Sequence, residues 1–358
     1  MTRPSSLILT RRLAETLAFA TAGGAALGLP GLPAGWLSGA ILFTAAAALA
    51  QRPVYVPQGM ARVTFVVLGI TLGAAITPDT AARIATWPVS MFALAVAMSC
   101  STLAISVYLV RVHGWDSMSA LFAAAPGALS QALALAADTS ADLRSVAIVQ
   151  SLRVLVLTVV LPLIMAAFAM TGAPPEPMPP LRESLGELAL LIIVPTAVAM
   201  IAYRVRLPGG LIVGAMLASG LLHGFGVVRI NLPPIVITVA FVALGALIGS
   251  RFLGMDLARL RELLRASVGA LVVGMTVAGL FAAATAWMLS LNFADVLIAY
   301  APGGLEPMTI LAFALHLDPA FVGAHHLWRF LYVSVMMPLA VAYVARRRQM
   351  SEESDTKD

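Results

Sequence analysis

Ala301-Pro302-Gly303-Gly304-Leu305-Glu306-Pro307-Met308 interrupts an apolar stretch late in the chain, and Ala125-Pro126-Gly127-Ala128-Leu129-Ser130-Gln131 interrupts another near its middle. Proline removes a helix donor and clashes with the preceding turn, and glycine withstands the irregular backbone that results. Both breaks lie within segments apolar enough to enter a bilayer, where hydrocarbon leaves the freed backbone groups unsatisfied. Such breaks persist in membranes where they line an enclosed cavity, as in transporters built on discontinuous helices. The duplication turns what one copy would leave as a kink into two halves of one central site.

Composition fixes the environment. The 358 residues are 60% hydrophobic and only 11% charged, against roughly 25% charged in soluble domains. Mean hydropathy is +0.95. This is an all-α polytopic membrane protein. Its net charge of +5 therefore reads first as a topology signal and not as a nucleic-acid footprint. One cysteine, Cys100, excludes an internal disulfide and a CxxC metal site. Arg3, Arg11 and Arg12 before the apolar run Leu13–Leu29 imitate a secretory signal, but that run has a counterpart starting at Leu185, and a removable signal is not expected to be half of a repeat.

From Pro126 to Pro302 the offset is 302 − 126 = 176, and the same offset carries Gly69 to Gly245, Gly73 to Gly249, Asp142 to Asp318, Arg153 to Arg329 and Pro162 to Pro338. The chain is thus one unit written twice: residues 1–171 and 184–348, a Pro-rich linker at 172–183, and a polar, charged end at 349–358 expected to be disordered and cytoplasmic. The first copy offers apolar segments at about Leu13–Leu29, Pro33–Ala50, Val63–Ile76, Pro88–Val110, Ser117–Ala137 and Leu143–Met170. The second offers them at about Leu185–Tyr203, Gly209–His223, Pro234–Gly249, Ala266–Leu291, Ala294–Leu315 and Pro319–Val344.

Orientation follows from the basic residues. If the fifth segment of each copy enters and returns on one face, each copy crosses five times and the copies are inverted. Seventeen Lys and Arg then fall on the N-terminal side, taken as cytoplasmic, with only Arg83, Arg182 and Arg229 opposite. If all six segments cross, the division is twelve to eight, and the four arginines of Arg251–Arg265 lie on the wrong side. The positive-inside bias favours inverted repeats of about five transmembrane helices, each with one re-entrant or broken Pro-Gly helix.

Arg153 and Arg329 lie at matching depth, about ten residues or 15 Å into their helices. A charge near the bilayer centre costs at least about 2.5–3.5 kcal/mol on insertion scales, so it normally faces a cavity or a partner. Two roles fit and are compatible: clamping the broken helix, or contacting a ligand. Gln150 and His326 each stand three residues earlier, on the same helical face. Ser130 and Gln131 follow the first break and Glu306 the second, Glu306 being a candidate partner for Arg329 or a proton carrier. Asp142 and Asp318 are placed to cap the sixth helices.

With the free N–H groups expected where a new half-helix begins, Pro126, Gly127, Ser130, Gln131, Gln150, Arg153, Pro302, Gly303, Gly304, Glu306, His326 and Arg329 form the expected binding set for a small anionic solute. Coupling to protons or Na+ and a homodimer complete the expectation. His113, His223, His316, His325 and His326 show no metal-ligand spacing, so neither a metal, a cofactor nor an enzyme activity is expected.

These motifs, Ala-Pro-Gly-Ala-Leu-Ser at Pro126 and Ala-Pro-Gly-Gly-Leu-Glu-Pro-Met at Pro302, each followed by a helix holding Gln150/Arg153 or His326/Arg329, resemble the bacterial AbrB family of integral membrane proteins. That family is distinct from the soluble DNA-binding regulator of the same name. The resemblance covers nearly the whole chain and implies a duplicated domain in the inner membrane; the basic residues put both termini in the cytoplasm. Its members carry the labels of gene-expression regulator and ammonia monooxygenase. The monooxygenase label gains nothing from these residues, which lack metal ligands. The expected function is a secondary transporter working by alternating access, with a ligand-sensing membrane regulator as the alternative and an intramembrane enzyme third.

Overall fold

The computed structural model describes residues 6–76, 85, 87–125, 139–172 and 185–355, and every regular element among them is helical. Pro126, Gly127, Ser130, Gln131 and most of the 172–183 linker lie outside the described residues. In chain order the α-helices are α1 (Ser6–Gly28), α2 (Gly35–Leu49), α3 (Gln58–Gly73), α4 (Trp87–His113), α5 (Ser117–Ala124), α6 (Leu143–Ala167), α7 (Leu185–Arg204), α8 (Gly210–Gly224), α9 (Pro234–Gly249), α10 (Leu257–Leu289), α11 (Phe293–Tyr300), α12 (Leu305–Ala314) and α13 (Pro319–Asp355).

The repeat survives as helix boundaries. The offset of 176 superposes the ends of α3 on those of α9 and of α5 on α11, and the first residue of α6 on that of α13. Local chemistry sets these ends. Asp116 accepts from the Met118 and Ser119 amides, both at 3.0 Å, to start α5. Its equivalent, Asn292, accepts from the Ala294 amide at 2.8 Å to start α11. Asp142 takes the Arg144 and Ser145 amides, and Asp318 takes those of Ala320 and Phe321. These are the caps anticipated for the sixth helices, satisfying donors that have no partner within a helix.

Among the described residues six helices are long and apolar enough to cross a membrane: α4, α6, α7, α9 with its 3-10 extension to Phe252, α10, and α13 as far as Arg346. Shorter apolar helices are α2, α3, α8 and α12. Large apolar side chains point outward along the spans. On α4, Val89, Phe92, Val96, Leu103 and Val107 are exposed at helical spacing, and on α10 so are Leu264, Val268, Val272 and Leu280. Such stripes suit lipid. Cys100, on α4, is exposed as well. Several boundaries differ from the sequence reading, two of them at polar helix ends. Helix α10 begins at Leu257, nine residues before Ala266, because Arg261, Glu262 and Arg265 are good helix formers that an apolarity pattern ignores. For the same reason α13 continues through polar residues to Asp355, so residues 349–355 are helical and not disordered.

The chain folds as two compact units, each drawn from both halves of the sequence. The first comprises Met1–Ala85, Leu155–Leu257 and Leu305–Ala324. Its centre is a pair of reciprocal crossings. Gly69 and Gly73 lay α3 against α8: a Cβ on Gly69 would stand 2.5 Å from the Ile212 carbonyl oxygen, and one on Gly73 would overlap that of Met216. Gly245 and Gly249 lay α9 against α2, where added Cβ atoms would stand 3.0 Å from the Leu37 oxygen and 2.8 Å from that of Ile41. These are two GxxxG contacts, each joining a helix of one half to a helix of the other. Ser219 ties the first crossing by donating to the Ile70 carbonyl at 2.7 Å.

The second unit comprises Thr86–Val154, Ala258–Gly304 and His325–Asp358. In it α4 and α13 run parallel. Ser90 bonds His325 at 2.7 Å, the Trp328 indole donates to the Met91 carbonyl at 2.9 Å, and Ser99 bonds Tyr332 at 2.7 Å.

Paired guanidinium groups at two buried helix ends, a candidate binding site

The second break is real. Helix α11 ends at Tyr300, Ala301–Gly304 is irregular, and α12 starts at Leu305. Helix α5 likewise stops at Ala124. Both short helices end inside the second unit, buried, with C-terminal carbonyls that no further turn of helix can satisfy. The polar side chains of α6 and α13 turn toward those carbonyls.

Gln150 Nε2 donates to the Phe122 carbonyl at 2.8 Å, and Arg153 donates to the carbonyls of Ala123 and Ala125 at 3.5 and 3.2 Å. In the other half His326 Nε2 meets the Ile298 carbonyl at 3.1 Å, while Arg329 donates to the Ala301 carbonyl at 2.6 Å and to that of Gly303. Phe122 and Ile298, like Ala125 and Ala301, are 176 residues apart, so the bonding itself repeats. Arg153 and Arg329 are 6% and 3% exposed, and their charges act on one another. Arg329 also bonds His326 Nδ1. A guanidinium only donates and a carbonyl only accepts. His326 is therefore neutral, with its hydrogen on Nε2 and a lone pair at Nδ1.

The clamp role is thus present in both halves. Among the described residues neither guanidinium has a carboxylate within ion-pair distance. Glu306, the partner suggested by the sequence, is in the first turn of α12, in the other compact unit. There its charge suits the positive end of the helix dipole. On the side chains that hold these carbonyls, Gln150 Oε1 and Arg153 Nε are buried without a hydrogen-bond partner among the described residues.

A family model described as "Transition state regulatory protein AbrB" matches residues 8–345. The chain belongs to the AbrB family. Among its relatives is a protein of Escherichia coli (strain K12) named "Putative regulator AbrB", 26% identical over 270 residues that cover 72% of this chain and 75% of that protein. Another is "Uncharacterized protein YhjN" of Bacillus subtilis (strain 168), 23% identical over 351 residues, 90% of each chain. The resemblance read from the two Pro-Gly motifs is met, and with it a membrane-type AbrB-family chain of several apolar helices.

Around the second break the AbrB-family chain holds polar residues to which the sequence reading gave no role there. The Tyr300 hydroxyl, at the end of α11, donates to the Ser90 carbonyl at 2.5 Å and lies 3.2 Å from the Thr285 hydroxyl. His325, fully buried, takes the Ser90 side chain. Tyr300 immediately precedes the Ala-Pro-Gly break, and that adjacency was the available signal. No group of three or more metal-ligating side chains occurs among the described residues.

Proposed function

We propose that this protein is a secondary transporter that moves a small anionic solute, a carboxylate being the natural class, by alternating access around the paired guanidinium groups. The observation that carries the reading is a charge imbalance. Two buried guanidinium groups bring two positive charges. The C-terminal ends of α5 and α11 offer about half a negative charge each, and His326 is neutral. About one positive charge is left over, in surroundings where an unneutralised ion is costly. An anion supplies what is missing, and Arg153 Nε is open to donate to it. Inverted repeats fit this reading, since rocking of one bundle against another is the usual motion of transporters with broken helices. The lopsided Lys and Arg distribution and the reciprocal GxxxG crossings both support inversion.

The test is counterflow in proteoliposomes with labelled acetate, lactate, succinate and citrate. Exchange of at least one is expected, with Arg153→Gln and Arg329→Gln lowering its rate at least about tenfold in protein that still elutes as a folded species. Undiminished exchange in either variant removes that arginine from ligand contact. Coupling to protons, if it runs through His326, makes His326→Gln lose the dependence on a pH gradient while keeping exchange. Gln performs the equivalent bond at position 150, so the helix end stays held.

A ligand-sensing regulator of gene expression is the second reading, favoured by the name of the Escherichia coli relative. A ligand-dependent change in transcripts without solute flux selects it.

A further inference from the structure

On the outer side of the second unit, α4 and α13 enclose a groove of about 580 Å³. The hydrogen bonds pairing Ser90 with His325, Met91 with Trp328 and Ser99 with Tyr332 run in the same direction along both helices. Arg111 on α4 therefore lies at the same end as Tyr343 and Arg346 on α13. The groove has an inner end whose hydroxyls are paired and a basic mouth. At the inner end the Tyr332 and Ser99 hydroxyls bond one another. Between the ends the lining is mostly apolar, Thr102 and Ser106 apart, with Leu103, Val107 and Met336 exposed along it. At the mouth stand Arg111, Tyr343 and the hydroxyl of Ser117. Arg111 has no ion pair among the described residues, and Arg346, one turn beyond Tyr343, is exposed.

We infer that this groove binds one anionic phospholipid, an acyl chain along α4 and α13 and the phosphate at Arg111. Length supports that occupant. Ser99 to Arg111 is twelve residues, about 18 Å of helix, close to one leaflet of a hydrocarbon core about 30 Å thick. Charge supports it too. Basic pockets between transmembrane helices at the membrane surface bind anionic headgroups, and an amphipathic ring such as Tyr343 suits that level. The mouth is on the side where the Lys and Arg distribution puts the cytoplasm, whose leaflet carries the anionic lipids. An apolar peptide or solute would fill the groove but leave Arg111 unanswered. A free phosphate would answer Arg111 but leave the groove empty.

Native mass spectrometry of the full-length protein tests the inference. The protein is released from mixed micelles holding equal amounts of phosphatidylglycerol and phosphatidylcholine. Wild type is expected to retain one phosphatidylglycerol in preference to phosphatidylcholine. Arg111→Gln should weaken that preference about fivefold, the worth of one basic residue at a membrane surface, and Arg111→Lys should restore most of it. Leu103→Trp, which fills the groove with an apolar ring at a 67% exposed position, should lower retention of both lipids. Equal retention of the two lipids by wild type, or an unchanged preference in Arg111→Gln, overturns the proposal. So does competition by millimolar inorganic phosphate, which would mark a free-phosphate site. Loss of a dimer peak in Leu103→Trp overturns it as well, because the groove would then be the seam between two copies.

Discussion

Among the described residues Arg329 makes three hydrogen bonds where Arg153, 176 residues earlier, makes two. Arg329 holds Ala301, Gly303 and His326, whereas Arg153 reaches Ala123 and Ala125 at longer distance and leaves Nε open. The two residues repeat in sequence but divide the labour: the second is the firmer clamp and the first the more available donor. Each buried carbonyl left without its donor costs about 1–3 kcal/mol. Arg329→Gln should therefore lower the thermal unfolding midpoint in detergent more than Arg153→Gln does, by an amount worth about 2–4 kcal/mol. Equal or reversed losses would show that the bonding asymmetry has no energetic counterpart.

The reciprocal crossings of the first unit give a sharper stability contrast. A methyl group at Gly73 would overlap the Met216 carbonyl oxygen, whereas at Gly59, on the same helix α3, it meets nothing within 4 Å. Gly73→Ala must separate two backbones and should cost about 1–3 kcal/mol, the usual scale of overpacking. Gly59→Ala should be neutral or stabilising by up to about 1 kcal/mol, since Ala is the better helix former. Thermal unfolding of the two variants side by side decides the matter, and a mild Gly73→Ala would mean that α3 and α8 are not locked at that point.

Much of this was legible in the chain, for particular reasons. Pro and Gly change backbone options outright, so the break at Ala301–Gly304 followed directly from its residues. Gln150, Arg153, His326 and Arg329 stood out because ionisable and amide groups are rare in apolar helices, and the 176-residue offset put them in pairs. What was not legible is direction. Sequence spacing shows that Arg153 and Gln150 share a face but not that the face looks at the end of α5. The caps at Asp142 and Asp318 are local and were readable. The Ser90–His325–Tyr300 cluster joins residues more than 200 positions apart, and no local rule anticipates it. Likewise, apolar segments announce themselves, but the polar turns that open α10 and close α13 are set by helix propensity, which hydropathy does not see.

Asp142 provides a test that depends on pH. The Ser145 hydroxyl donates to it at 2.6 Å, the Ser145 and Arg144 amides add two bonds, and Arg259 lies 3.2 Å away. Together, with the Ser145 hydroxyl foremost and partial burial opposing, these hold its carboxyl below the ordinary value of 3.8. A pKa lowered on folding gives stability that is full above the unfolded value and lost as pH falls through the folded one. The side chain is 46% exposed, so solvent screening trims the electrostatic part and leaves about 0.5–1 kcal/mol, the worth of a modest helix cap. Asp142→Ala should thus be less stable than wild type by a constant margin from pH 5 to pH 8, and the gap should narrow below about pH 4. Unfolding midpoints at pH 3.5, 5 and 7 check it. A gap that widens in acid would contradict the sign.

The last prediction concerns direction across the membrane. In the inverted arrangement the stretch of sequence after α3 and the loop before α10 face opposite sides, although α3 and α9 are equivalent helices. The loop before α10 leads into a cluster of arginines, Arg259, Arg261 and Arg265, whereas the sequence between α3 and α4 carries Arg83 alone. Basic residues in short loops stay on the cytoplasmic side. Thr80→Cys and Asp256→Cys, each in a Cys100→Ser background because Cys100 is exposed, should therefore react differently with a membrane-impermeant maleimide on intact cells. Position 80 is expected to label from outside and position 256 only after the membrane is opened. Labelling of both from the same face would make the halves parallel. The rocking mechanism would then lose its symmetry, while the clamped ends of α5 and α11, which lie within one compact unit, would stand unchanged.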